Sequence, residues 1–171
     1  MLDESKIKFL EQSSGLASCG PVSLQIVLAY FGIEKSEAEL VELCGTTTEF
    51  GTDHVDLERA VISLGFQFKT SSWQSPEESW SSLNYWINEV GVPVIVNWFS
   101  IFGARYDGHY SVAYRIDKKN VWLANPEFYN AKERNQKISR DNFLKIWFDF
   151  SGEYIATPDN VIARWWLVVL K

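Results

Sequence analysis

Cys19 opens an apolar helical pattern in the run Ser18-Cys-Gly-Pro-Val22 and has the marks of a nucleophile. A thiol at a helix start meets unpaired backbone N–H groups and the positive end of the helix dipole, which favours the thiolate. Gly20 leaves space beside the sulfur for a substrate carbonyl, and Pro21 forfeits no hydrogen bond in a first turn whose N–H groups lack helical partners. A thiol nucleophile needs a base, and Asp107-Gly-His109-Tyr110 offers one. Its glycine frees the backbone just before a strand that starts on histidine, so the ring is held rigidly yet open to a cleft. His54 falls in the first turn of a predicted helix after Gly51-Thr-Asp53, where a solvated or capping role is commoner.

Asn125-Pro126 ends the strand that pairs with the one begun by His109, and an asparagine amide oxygen there can accept the imidazole N–H and fix the tautomer. Side chains alternate along strands, so His109 and Asn125 share a face only if odd positions pair with odd ones. Asn125 opposite residue 113 satisfies this; opposite residue 112, it requires a β-bulge. Gln12, seven positions before Cys19, is a candidate amide donor to the oxyanion that forms on an attacked carbonyl, beside the backbone N–H of Cys19. The segment before His109 leaves an apolar strand through the glycine-containing loop 102–108. Trp98, Phe99, Phe102 and Gly108 are therefore expected to border the substrate cleft, with core filling as the competing role for the aromatics.

The elements that must position these residues are legible in the hydrophobic pattern. Leu24, Val27, Leu28 and Phe31 give a buried helix between Cys19 and Gly32. Ser36-Glu-Ala-Glu39 and Ser75-Pro-Glu-Glu78 have the capping-box form and start two more helices, stopped at Gly45 and Gly91. Another helix runs from about Thr52 or Asp53 through Leu57, Val61 and Leu64 to Gly65. In the second half, strands are expected at Val92–Trp98, His109–Ile116, Val121–Ala124 and Arg164–Leu170, with a helix at Ser139–Phe148 and a surface loop at Asn130–Arg140. Asp117-Lys-Lys-Asn120 makes the middle pair a hairpin. Helices followed by an antiparallel sheet is the α+β pattern.

The 171 residues, 46% hydrophobic and 15% aromatic, suffice for one domain spanning 1–171 with a substantial core. Sixteen Lys and Arg against 22 Asp and Glu give a net charge of -6 with no basic stripe, which argues against a nucleic-acid partner. The N-terminus has no signal-peptide run, and the apolar stretches are far shorter than a membrane span, so a soluble, cytoplasmic chain is expected. Two cysteines fit a reducing compartment. Cys44 shares an apolar helical face with Leu40, which leaves Cys19 as the reactive thiol. No cofactor or metal is called for, and the expected partner is a peptide or protein substrate.

Gln12-x6-Cys-Gly-Pro-Val-Ser-Leu, the apolar helix to Tyr30-Phe-Gly32, Gly-His109-Tyr and the hairpin ending in Asn125-Pro together resemble peptidase family C39 and the C39-like group. The likeness runs from about Gln12 to Trp147 and includes Gly45-Thr-Thr, Gly51-Thr, Leu57, Ala60 and Leu64-Gly65-Phe66. It implies a papain-like cysteine peptidase fold and hydrolysis of peptide bonds, in the best-known members after a double glycine in a secreted peptide's leader. The family's Cys, His, acid and oxyanion-hole glutamine fall on Cys19, His109, Asn125 and Gln12. Asparagine stands where the family carries aspartate, as in papain, so the imidazolium lacks a full negative charge there. Gln12 also sits about one residue further from the cysteine than the family's spacing. A catalytically silent peptide-binding module and an acyltransferase using the same thiolate remain as other readings of these residues.

Overall fold

The computed structural model describes residues 1–13, 17–100, 107–127, 134–150 and 158–171. The first half carries four helices: α1 (Cys19–Tyr30), α2 (Glu37–Cys44), α3 (His54–Ser63) and α4 (Pro76–Asn84), the last continuing as a π-helical turn at Tyr85–Val90. Both capping boxes form, with Ser36 and Glu39 on α2 and Ser75 and Glu78 on α4 each bonding the other's backbone N–H. Gly45, Gly65 and Gly91 take positive φ at or just past the helix ends, where a Cβ would be strained. Among the described helices, none is long and apolar enough to cross a membrane.

One antiparallel sheet runs in the order β1-β8-β2-β3-β4-β5. Its strands are β1 (Gln67–Ser71), β2 (Val94–Ser100), β3 (Asp107–Ile116), β4 (Asn120–Ala124), β5 (Asn135–Ser139) and β8 (Trp166–Leu170). The helix α5 (Arg140–Ile146) and a small two-stranded sheet, β6 (Phe148–Phe150) with β7 (Val161–Ala163), follow β5. With helices packed on a single antiparallel sheet, the α+β class is observed. Several elements, β6 and β7 among them, differ from the sequence expectation. β1 interrupts the helical first half. β5 occupies part of the stretch read as a loop, because Gln136 and Ile138 alternate inward with polar neighbours outward. β2 runs two residues further than expected, which carries Trp98 inside the sheet.

The first helix packs on β3, and its fully buried Val22, Leu24, Ile26, Val27 and Leu28 join Val94, Ile95, Val96 and Val112 of the sheet in one core. Burying such side chains contributes roughly 1.5–3 kcal/mol each before conformational entropy is charged against it. The result fixes the start of α1 against the start of β3, and with them Cys19 and His109.

The β3–β4 hairpin carries a register shift. Near the turn Ile116 pairs with Val121 and Arg115 with Trp122; beyond it Ala113 pairs with Leu123 and Val112 with Ala124. Tyr114 is the extra residue of a β-bulge. Had the turn's register continued, Asn125 would stand opposite residue 112, on the wrong face. The bulge restores odd-with-odd pairing and turns Asn125 to the face of His109.

Candidate active site

Ser18 stands at the N-cap of α1 but does not cap it; its fully buried hydroxyl donates to Glu37 Oε1 at 2.5 Å. The first turn of α1 is thus left without a side-chain cap. Glu37 also accepts from the backbone N–H of Ser13 (2.9 Å) and from its hydroxyl (2.5 Å). One carboxylate therefore ties Ser13, next to Gln12, to Ser18, next to Cys19. Burial works to raise the Glu37 carboxyl, and the bonds from Ser13 and Ser18 outweigh it and hold it below its ordinary range. Gln12 donates its backbone N–H to the carbonyl of Pro126 (2.9 Å), which brings the oxyanion candidate to the Asn125-Pro126 turn.

His109 is 4% exposed, and its Nε2 lies 2.6 Å from Asn125 Oδ1. A carboxamide oxygen can only accept, so Nε2 carries the proton and Nδ1 keeps its lone pair. The same Oδ1 accepts from the backbone N–H of Glu127 (3.1 Å), and Asn125 Nδ2 donates to Gln136 Oε1 (3.2 Å). Trp98 meets the His109 ring edge-on, with centroids 5.6 Å apart, and its indole N–H donates to Ser111. The half-exposed Glu127 places Oε2 3.8 Å from His109 Nδ1, a distance that becomes an ion pair only when the ring is protonated.

Cys19 is partly exposed, and the backbone N–H of Tyr110, the residue after His109, points at its sulfur. Burial pushes its thiol up to about 12, and the Asp149 and Glu127 carboxylates add to the rise against opposing N–H groups of Tyr110 and Gly20. The sequence expectation of a resting thiolate is therefore corrected. Burial and the two nearby negative charges outweigh the N–H groups around the sulfur, which favours the neutral thiol. Cys44 is fully buried, and burial holds its thiol at about 12 as well.

The structure brings Cys19, His109, Asn125 and the backbone of Gln12 to one end of the sheet. The expected cleft lining is corrected in three places. Trp98 is fully buried, since β2 continues past it, and it supports His109 from within the core. Gly20 is buried too: a Cβ there would stand 3.1 Å from Thr52 Cβ and 3.4 Å from Tyr110 Cδ2, so the missing side chain lets α1 seat on the protein and opens no room for substrate. The missing side chain of Gly108 is filled by the Asp149 carboxylate, with which any Cβ would collide. Phe99 stacks on Phe148 at 5.2 Å and stands edge-on to Phe150, half-buried. Phe102 lies outside the described residues.

Sequence reasoning missed Glu37, Glu127, Gln136 and Asp149. Asp149 accepts from Asn97 Nδ2 at 2.8 Å, and its one sequence signal is a carboxylate between two aromatics in Phe-Asp-Phe150. Among the described residues, no group of three or more His, Cys, Asp or Glu side chains is placed to hold a metal ion.

A model of the peptidase C39 family matches residues 6–156. An uncharacterised protein of Methanothermobacter marburgensis is 31% identical over 151 residues, covering 86% of this chain and 85% of that one. Two solved structures share the fold. The peptidase domain of Streptococcus ComA, a bi-functional ABC transporter of a quorum-sensing pathway, superposes with a TM-score of 0.66 at 21% identity, covering 94% of this chain and 96% of that one. A double glycine motif protease from an AMS/PCAT transporter, in complex with a leader peptide, superposes with a TM-score of 0.63 at 18% identity, covering 98% and 95%.

Proposed function

The chain belongs to the peptidase C39 family, and on that premise we propose that it is a cysteine peptidase working through Cys19, His109 and Asn125 on a peptide with a double-glycine type cleavage site. The observation that carries the reading is the 2.6 Å contact from His109 Nε2 to Asn125 Oδ1, beside a cysteine whose sulfur meets the N–H of Tyr110. It leaves Nδ1 as the lone-pair nitrogen at the nucleophile's end of the sheet. The leader peptide bound to the double glycine motif protease of the same fold supports the substrate class.

From a neutral pair, His109 Nδ1 takes the Cys19 proton as the sulfur attacks the scissile carbonyl. The carbonyl π electrons move to oxygen, and the oxyanion accepts from the backbone N–H of Cys19 and the side-chain amide of Gln12. The imidazolium returns its proton to the leaving amine as the C–N bond breaks. Water, deprotonated by the same nitrogen, then cleaves the thioester and releases the acid. Transfer to His109 lets the thiol ionise despite its high intrinsic pKa, because Asn125 and Glu127 stabilise the imidazolium while the sulfur bonds the Tyr110 N–H.

An electrophilic peptide probe ending in glycyl-glycine, followed by mass mapping, tests the site. Cys19 should be labelled and Cys44 spared, and a peptide with an internal Gly-Gly should be cut by the wild type and left whole by Cys19→Ala. Labelling at Cys44 alone, or cleavage that survives Cys19→Ala, would sink the proposal. Labelling of Cys19 without cleavage of any peptide would move the assignment to acyl transfer.

A further inference from the structure

We propose that Gln136 is a positioning residue which fixes the orientation of the Asn125 carboxamide and, through it, decides which nitrogen of His109 is left free as the base. The inference rests on the reading of His109 as that base.

A carboxamide has two orientations of nearly equal shape and opposite hydrogen-bonding sense. With Oδ1 toward His109 the ring is protonated at Nε2 and basic at Nδ1. With Nδ2 toward the ring, Nε2 must accept, the proton moves to Nδ1, and the base is lost. An aspartate at this position has acceptors on both oxygens and never meets the problem. An asparagine needs it solved by its surroundings.

Asn125 is 5% exposed and Gln136 9%, so bulk water does not stand in for either partner. Gln136 Oε1 accepts from Nδ2 at 3.2 Å, and the backbone N–H of Glu127 donates to Oδ1 at 3.1 Å. The two contacts pin opposite ends of one amide. Gln136 reaches it from the edge strand β5, where it pairs with Leu123 and lies diagonal to Asn125. The Asn125 N–H donates to the Arg134 carbonyl (3.1 Å) and extends the β4–β5 ladder to the site. Without the Gln136 acceptor, the orientation that holds His109 correctly buries an unpaired amide N–H, whose cost is comparable with the lost hydrogen bond.

The chain has two histidines, so ¹⁵N-histidine labelling with long-range ¹H–¹⁵N correlation reads the His109 tautomer directly, and His54→Gln assigns the signals. Wild type should show Nε2–H. Gln136→Met, which keeps length and removes the acceptor, should populate Nδ1–H and slow iodoacetamide capture of Cys19 at pH 7 by about tenfold. Gln136→Glu keeps an acceptor and should retain the wild-type tautomer; Gln136→Leu serves as a second acceptor-free variant if the Met variant fails to fold. In an Asn125→Asp background, Gln136→Met should cost nothing further. An unchanged tautomer and alkylation pH profile in Gln136→Met, or an equal loss in both backgrounds, overturns the proposal. Failure of the underlying reading looks different: His109→Ala would leave Cys19 alkylation untouched while the tautomer still responded to residue 136.

Discussion

Replacing Glu37 by alanine should loosen the hold on Ser13 and Ser18, the neighbours of Gln12 and Cys19. The carboxylate accepts three hydrogen bonds, from the Ser13 N–H, the Ser13 hydroxyl and the Ser18 hydroxyl. They are not equal. Ser13 is exposed and rehydrates when released, whereas the Ser18 hydroxyl is fully buried and is left unpaired, at a cost of about 1–3 kcal/mol. With about 0.5 kcal/mol for the solvated pair at Ser13, the loss should come to about 1.5–3.5 kcal/mol. At a urea slope of about 2 kcal/mol per molar this moves the unfolding midpoint down by about 1 M, easily read from the fluorescence of eight tryptophans. The pH dependence gives the sharper check. The folded Glu37 carboxyl lies below its ordinary value, so its contribution is complete above the unfolded pKa of about 4.3 and is lost as pH falls through the folded value. Wild type and Glu37→Ala should therefore differ most at neutral pH and converge on acidification below about 4. A midpoint difference under a quarter of that expected at pH 7, or one that persists undiminished in acid, would show that Glu37 does not hold these residues.

Further substitutions address the electrostatics and packing around the sulfur. Asp149→Asn removes the carboxylate that raises the Cys19 thiol more than Glu127 does, so the thiol pKa should fall and alkylation near pH 7 should speed up several-fold. Glu127→Gln should gain less, because Glu127 also stabilises the His109 imidazolium; rates followed from pH 6 to 10 that match wild type in both would remove these charges from the account. Gly108→Ala drives a methyl into the Asp149 carboxylate and should destabilise the fold by about 1–3 kcal/mol in thermal unfolding. Adding Asp149→Ala should recover most of that loss, and strictly additive effects would place the clash elsewhere.

Local chemistry made much of this architecture readable in advance. The capping boxes at Ser36 and Ser75, the glycine stops at Gly45, Gly65 and Gly91, and the Asp117–Asn120 turn depend on side chains within a few residues of the backbone they satisfy, so their sites appear as short strings. The placement of His109 and Asn125 at one end of a hairpin followed from the same kind of string. What escaped depends on contacts distant in the chain. Gln136 becomes informative only once β5 lies against β4, and Asp149 only once β6 crosses beside Gly108. Glu37 stood unnoticed inside a capping box whose own glutamate is Glu39, although its partners lie 19 and 24 residues away. Trp98 was misplaced because a strand's end was drawn two residues early. The charge state of Cys19 was misread because helix-start chemistry is local while the burying walls and the carboxylates of Glu127 and Asp149 are not.

The bulge at Tyr114 makes the hairpin a two-part ruler. Counting from the turn alone, the residue sharing a face with His109 and Ser111 would be Pro126; with one residue spent out of register it is Asn125. The interval from His109 to Asn125, sixteen positions, thus encodes the parity of the whole hairpin. A relative whose interval differs by one must change either its turn or its bulge to keep the pair facing. An insertion of a single residue beside Lys118 would be silent in the turn, which is exposed, only if it were absorbed there. If the slip ran down β4 instead, it would swing Asn125 away from the imidazole while leaving every site residue in place in the alignment. In this fold, His109 can lose its partner by a change in counting, without any change in identity.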